Sequence, residues 1–165
     1  MIIIKNKAEI EVMRRAGRIV GEALNFIKDR IEPGISTLEI DRILEEFITK
    51  QGAVPSFKGY GGFPGSACVS VNDTVIHGIP SGDIILKEGD IVSVDLGAIK
   101  DGYHGDAART FAVGKISREA DRLIEVTEAS FFRGAEKAVI GAKLTDISHE
   151  IQTYAESFGF GVVRD

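Results

Sequence analysis

Residues 91–113 read IVSVDLGAIKDGYHGDAARTFAV and contain the clearest structural signal of the sequence. Two alternating runs flank the pair Asp101-Gly102, and Asp-Gly between such runs is the strongest short-range signal for a β-hairpin. A two-residue turn at this pair places Lys100 opposite Tyr103. The turn therefore sets the register of the whole hairpin.

Two carboxylates share one face of this predicted hairpin. Asp95 lies opposite Ala108, and Asp106 lies opposite Gly97, which makes the two acids diagonal neighbours with backbones roughly 7–8 Å apart. The other face of the first strand is predicted to be the core side, with Val92, Val94, Leu96 and Ala98. Converging carboxylates repel and raise each other's pKa unless a cation neutralises them. We therefore predict a divalent metal site at Asp95 and Asp106, with two solvated surface acids as the alternative reading.

Composition limits the class of protein. The chain has 165 residues, of which 44% are hydrophobic and 27% charged, as expected for one soluble domain with a real core. Its net charge of −5 argues against a nucleic-acid partner and against an anionic membrane surface. A single cysteine excludes an internal disulfide framework, and no apolar run is long enough to cross a membrane. We expect a cytoplasmic protein that binds neither DNA nor a membrane.

The chain before the hairpin predicts two helices and two short strands. Apolar residues recur at helical spacing over residues 8–28, and Ser36 or Thr37 caps a second helix. Strand-like runs follow from Ala67 to Val71 and from Thr74 to Ile79. These elements and the hairpin predict an α+β fold.

The chain after the hairpin resembles its beginning. Helical patterns return from Ser117 to about Ile140 and from Thr145 to Gly159. Aligning Gly141 with Gly34 matches the apolar spacing and the glycine stops of the two halves, although a chance match remains the alternative. We therefore predict a single incomplete domain made of a first repeat, residues 1–113, and the start of a second, residues 114–165.

Several other residues are candidates for chemistry or binding. His77 lies in an apolar run, where it is either structural or a hydrogen-bond donor beside the carboxylates. His104 has the same parity as Asp106, but Gly105 predicts a bulge that turns it away. Cys68 has no basic neighbour in sequence, which favours a small buried strand residue over a nucleophile. Three aromatic residues of a glycine-rich loop either wall an apolar pocket or pack on the core: Phe57, Tyr60 and Phe63.

Three motifs together resemble the type I methionine aminopeptidases of bacteria. They are VIHGIP at residues 75–80, GDIVSVD at residues 89–95 and GYHGDAART at residues 102–110. The resemblance extends over essentially the whole chain. It implies the α+β pita-bread fold, in which two pseudo-symmetric halves surround a two-metal site, with the first half complete here and the second only begun.

The resemblance also implies roles for individual residues. Asp95 would chelate both metal ions, Asp106 would bridge them, and His77 would be the catalytic residue that hydrogen-bonds the substrate amide. Together with His77, the residues that match the substrate pocket are Phe57, Tyr60, Phe63 and Cys68. The implied cofactors are two divalent ions (Co, Mn, Fe or Zn), and the implied substrates are nascent chains that begin with methionine and have a small second residue, reached in association with the ribosome.

The sequence departs from this family in its ligand count. The family supplies one further histidine and two glutamates as ligands, and Arg164-Asp165 matches positions just before that histidine. We expect the 165 residues alone to be weak or inactive unless a complementing fragment or a second copy supplies those ligands. A non-catalytic peptide-binding or assembly module on half of the scaffold is the alternative. Prolidase-like chemistry is a third reading, which the His-Gly-Ile-Pro and Tyr-His-Gly-Asp contexts disfavour.

Overall fold

The computed structural model describes residues 2–163. It divides the chain into two compact units, one that ends at Ile116 and one that begins at Ser117. The predicted boundary after residue 113 lies close to this division, while the repeat relation between the two units stays a prediction. Arg164 and Asp165 lie outside the described residues.

Two helices open the first unit, as predicted. Helix α1 spans Lys7–Lys28 and begins at Asn6, whose side chain accepts the backbone N–H of Glu9. Helix α2 spans Thr37–Lys50 and is capped by Ser36, one of the two predicted candidates. Each helix buries an apolar stripe; the larger members are Ile19, Val20, Leu24 and Ile27 in α1 and Ile40, Leu44 and Ile48 in α2.

A four-stranded antiparallel sheet forms the second layer of this unit. The strands are β1 (Val54–Pro55), β2 (Ala67–Val71), β3 (Ile91–Lys100) and β4 (Tyr103–Ala112). Strand β3 is central because β1, β2 and β4 all pair with it. A 3-10 turn at Tyr60–Gly62 lies in the loop between β1 and β2.

The hairpin has the predicted register. Lys100 pairs with Tyr103, and the ladder continues without interruption to Ile91 and Ala112. The turn residues Asp101 and Gly102 have φ values of 50° and 83°. Positive φ at both central residues is what a type I′ turn requires.

The apolar face of β3 packs under α1 and α2. Val92, Val94, Leu96 and Ala98 are all 0% exposed, as predicted for the core side. The predicted bulge at Gly105 is wrong, because Gly105 pairs regularly with Ala98. A Cβ at Gly105 would lie 2.5 Å from the carbonyl oxygen of Ala16, and glycine is therefore needed for the close approach of α1.

The predicted strand from Thr74 to Ile79 is wrong, because these residues form a loop. Val75 and Ile76 are 65% and 66% exposed, and two exposed neighbours do not alternate between a buried and a solvated face. His77 has a φ of 56°, which breaks the extended conformation.

The second unit is a helix pair. Helix α3 spans Arg118–Glu136 and begins at Ser117 as predicted, and helix α4 spans Leu144–Ser157. Helix α3 ends four residues before the predicted Ile140. The side chain of Ile140 is fully exposed, and its burial therefore does not stabilise a longer helix. A Cβ at Gly134 would lie 2.5 Å from Cγ1 of Ile151, which shows how closely the two helices approach.

Within residues 2–163, no helix combines the length and the apolar character that crossing a bilayer requires.

Candidate metal and peptide site

The two predicted metal ligands occupy one face of the β3–β4 hairpin. Asp95 pairs with Ala108 and Asp106 pairs with Gly97, as the sequence predicts. Because side chains alternate along a strand, both acids lie on the face opposite to the buried Leu96. The sheet therefore brings the two carboxylates together on the side away from the helices.

The two carboxylates interact electrostatically. Partial burial raises the pKa of the Asp95 carboxyl, and the negative charge of Asp106 raises this pKa further. His77 acts on the same group in the opposite direction and lowers its pKa. Asp95 thus lies within electrostatic range of both other residues, as expected if the three contribute to one site.

His77 stands on a loop that is fastened to strand β2. The next residue, Gly78, accepts a 2.9 Å hydrogen bond from the N–H of Val69, and its own N–H donates to Oγ of Ser70 at 3.0 Å. A Cβ at Gly78 would collide with the carbonyl group of Val69. These contacts stabilise the left-handed backbone conformation of His77, whose imidazole is exposed.

Cys68 lies directly beside Asp95, because the two residues pair across β2 and β3. Its side chain is buried, and burial is the main cause that raises the thiol pKa to about 11, with the charges of Asp95 and Asp106 adding to it. Almost no thiolate exists at neutral pH under these conditions. The predicted role as a small buried strand residue fits this environment better than that of a nucleophile.

The aromatic residues of the loop differ in their surroundings. Phe57 and Phe63 are half-buried, whereas Tyr60 is 82% exposed. Phe57 lies over Gly97, since a Cβ built on Gly97 would be 3.0 Å from Cε1 of its ring. Among the three aromatics, this contact ties Phe57 directly to the carboxylate face.

His104 contacts a neighbouring hydroxyl group. Its Nδ1 lies 3.0 Å from Oγ of Ser56, and the residue is exposed. This contact, and not the predicted bulge, orients the ring.

Sequence reasoning missed the buried acid Asp41 on α2. Its Oδ1 accepts the backbone N–H groups of Ser66 and Ala67 at 2.7 and 2.8 Å, at the point where β2 begins. Burial raises the pKa of this carboxyl. The available signal was its helical spacing from Thr37 and Leu44, which places it on the core side of α2.

The chemistry of the two acids fits a hard divalent ion, but they form only part of a complete donor set. Across residues 2–163 no group of three or more His, Cys, Asp and Glu side chains could hold a metal ion. Asp95 and Asp106 would therefore supply only part of the ligands of a metal site.

Comparisons with known proteins identify the relatives of this chain. The model of metallopeptidase family M24 matches residues 11–165. A methionine aminopeptidase of Clostridium acetobutylicum is 66% identical over all 165 residues, which correspond to 66% of that relative's length. Methionine aminopeptidase 1 of Bacillus subtilis is 55% identical over the same 165 residues. The chain thus spans about two thirds of the relatives that it matches.

Solved structures lead to the same family and fold. The crystal structure of methionine aminopeptidase from Rickettsia prowazekii superposes with a TM-score of 0.97 at 42% identity, covering 100% of this chain and 66% of that one. Xaa-Pro dipeptidase from Bacillus anthracis superposes with a TM-score of 0.83 at 29% identity, covering 96% and 43%. The expected pita-bread fold is thereby confirmed for the part that these residues span, and nothing in the comparisons supports a non-catalytic module. The chain belongs to metallopeptidase family M24.

Proposed function

We propose that this chain contributes the first part of a metal-dependent aminopeptidase that removes the initiator methionine from nascent proteins. The observation that carries the proposal is the hairpin register, which puts Asp95 and Asp106 on one face of β3 and β4, with His77 within electrostatic range of Asp95. Two mutually repelling acids beside an imidazole are a typical preparation for binding a cation. The family and the names of the relatives support the reaction class.

Asp95 and Asp106 would hold the divalent ions on the carboxylate face of the hairpin. The ions, when bound, would polarise the scissile carbonyl group and lower the pKa of a water nucleophile. The carboxylates fix the position of this chemistry because both lie on a paired ladder, β3 with β4, that is backed by the core. The proposed ions are two divalent ions of Co, Mn, Fe or Zn.

His77 would hydrogen-bond the substrate amide during the attack. Its loop is fastened to β2 through Gly78, which keeps the imidazole near Asp95 without burying it. An exposed imidazole can donate to an incoming peptide without first leaving another partner.

The methionine side chain would bind beside the carboxylates. Cys68 adjoins Asp95 across the sheet, and Phe57 covers Gly97 on the same face. Phe63 and Tyr60 belong to the same loop and would complete the apolar wall on contact with the substrate. This arrangement supports a nascent peptide as the substrate, which would place the protein in the cytoplasm and near the ribosome.

The 165 residues by themselves should have weak activity or none. The described part of the chain offers no third protein ligand at the carboxylate pair, and the family resemblance implies one more histidine and two glutamates. The affinity of a site for a metal ion falls as the number of protein ligands decreases. A complementing segment or a second copy would have to supply the missing ligands.

Metal binding is the first test of this proposal. Titration of Mn²⁺ into the chain, followed by electron paramagnetic resonance, should give weak binding that disappears in Asp95→Asn and in Asp106→Asn. Asp83→Asn, in an exposed loop, is the matched control and should bind as the wild type does. Equal binding by all four proteins would refute the predicted ligands.

Peptide hydrolysis is the second test. Residues 1–165 joined to the last third of the Clostridium acetobutylicum relative should release methionine from a Met-Ala-Ser peptide with Co²⁺ or Mn²⁺. The same fusion with Asp106→Asn should not release it, and the 165 residues alone should release little. A correctly folded fusion that binds metal and peptide but never releases methionine would favour the non-catalytic alternative.

A further inference from the structure

Gly97 occupies a central place on the carboxylate face. It pairs with Asp106 across the hairpin, and it follows Asp95 by two positions on the same face of β3. The residue is buried although it lies on the side away from the helices. Something other than the core must therefore cover it.

The segment after β1 provides this cover. The N–H of Ser56 donates a 2.9 Å hydrogen bond to the carbonyl oxygen of Gly97. A Cβ built on Gly97 would lie 2.8 Å from Cβ of Ser56 and 3.0 Å from Cε1 of Phe57. Real Cβ atoms rarely show such short contacts, because the repulsion between atoms rises steeply below van der Waals distance.

Space, and not backbone conformation, is what requires glycine at this position. The φ of Gly97 is not positive, and any L-residue could therefore adopt its strand conformation. Only the missing side chain lets Ser56 and the ring of Phe57 approach the sheet this closely. The size of residue 97 therefore limits how deeply both residues can lie.

Cys68 on β2 pairs with Asp95, and Phe57, in the loop after β1, covers the position two residues further along β3. The Phe57 ring thus contacts the strand position that lies opposite Asp106. A small shift of that ring changes the room available to a side chain beside the carboxylates.

We propose that Gly97 and Phe57 form a size-matched pair that determines which N-terminal side chain this site accepts. The inference rests on the proposed function, since it concerns the pocket for the residue to be removed. A larger residue 97 displaces Ser56 and the Phe57 ring and changes the room beside the carboxylates, whereas a smaller residue 57 returns part of that room. A pocket built this way discriminates by side-chain length and not by charge.

The packing of the pair is tested first, without any ligand. The ring current of Phe57 should shift the α-proton resonances of Gly97 in the nuclear magnetic resonance spectrum of the chain, and Phe57→Leu should remove this shift. An unchanged Gly97 resonance in Phe57→Leu would overturn the pair itself. This measurement does not depend on whether the protein is an aminopeptidase.

Selectivity is tested by binding of amino-acid amides to the same chain. Gly97→Ala should weaken binding of L-methioninamide by roughly tenfold, the typical effect of one methylene group in an apolar pocket, and leave L-alaninamide within about twofold. The double variant Gly97→Ala with Phe57→Leu should recover part of the loss, because the contact with Cβ of Ser56 remains. Gly21→Ala is the control, because its added Cβ has no neighbour within 4 Å.

The outcomes separate this inference from the function on which it rests. If the wild type prefers L-methioninamide and Gly97→Ala keeps the same preference, the size-matched pair is wrong and the proposed function stands. If the wild type binds neither amide while the ring-current shift is present, the peptide pocket is wrong, and the inference about selectivity is overturned with it.

Discussion

The two faces of strand β3 carry opposite kinds of side chain. Val92, Val94, Leu96 and Ala98 are completely buried against the helix layer. The residues between them include Asp95 and Gly97, and they face the carboxylate of Asp106. One face thus stabilises the fold while the other holds charges whose repulsion opposes folding.

The protein carries its unfavourable pair of negative charges on the face of β3 that does not form the core. Burial of apolar surface contributes about 25 cal/mol per Å² and is concentrated on the helix side of the sheet. Partial burial, and after it the charge of Asp106, raise the pKa of Asp95, which shows that the charged form of this carboxyl is disfavoured here. A rigid ladder keeps the two acids together because the core on its other face fixes the register.

The largest expected effect comes from breaking the apolar face. Leu96→Ala should lower the free energy of unfolding by about 2–5 kcal/mol, because it removes a fully buried side chain and leaves a cavity. Urea denaturation followed by circular dichroism measures the change. Val75→Ala is the control at a 65% exposed position, where the effect should stay within about 0.5 kcal/mol. Equal losses in both variants would contradict the contrast between buried and exposed positions.

A smaller loss is expected at Asp41, the buried acid that joins α2 to β2. Asp41→Ala should cost about 1–3 kcal/mol, because two buried amide groups lose their acceptor. Asp41→Asn keeps an oxygen acceptor and should retain much of the stability. Denaturation midpoints compare the three proteins, and an Asn variant as unstable as the Ala variant would show that the charge, and not the acceptor, matters.

The same residue predicts a pH dependence with a definite sign. Burial raises the pKa of Asp41 in the folded state above its unfolded value, which is near 3.9 for an aspartate. The folded state therefore binds the proton more tightly, and the contribution of Asp41 to stability falls as the pH rises from the unfolded to the folded pKa. Asp41→Asn removes this decline. Relative to the wild type, it should gain stability between pH 3 and pH 7 in paired denaturation curves; a relative loss would reverse the assigned sign.

The carboxylate face can be probed through Cys68, the single cysteine of the chain. A thiol pKa of about 11 predicts alkylation by iodoacetamide at pH 8 that is far slower than that of free cysteine. Asp95→Asn should accelerate the reaction because it removes one cause of the raised pKa. Asp83→Asn serves as the control, and equal rates in the two variants would mean that Asp95 does not influence the thiol. Mass spectrometry follows the modification.

The smallest effect is expected at the hairpin turn, far from either packed face. Arg15 and Asp101 form a 2.9 Å ion pair whose side chains are 58% and 55% exposed. Arg15→Ala should cost about 0.2–1 kcal/mol, and added salt should reduce even this difference. A loss as large as that of Leu96→Ala would show that the turn, and not the core, holds the hairpin in place.

The hairpin, its register and the shared face of Asp95 and Asp106 follow from local sequence patterns. An Asp-Gly turn and a period of two residues are local features, and they fix which side chains oppose each other. The caps at Ser36 and Ser117 were readable for the same reason. The C-terminal end of α3 does not follow from local sequence, because burial of side chains and not helix propensity determines where this helix ends.

The surroundings of the two acids depend on contacts between segments that are distant in sequence. The left-handed His77, the seat of Phe57 on Gly97 and the bonds from Asp41 to Ser66 and Ala67 all join segments that are distant in sequence. No local pattern encodes such contacts, since each depends on how closely a loop or helix approaches the sheet. Periodicity therefore determines which residues share a face, whereas packing between distant segments determines the shape of the site that they form.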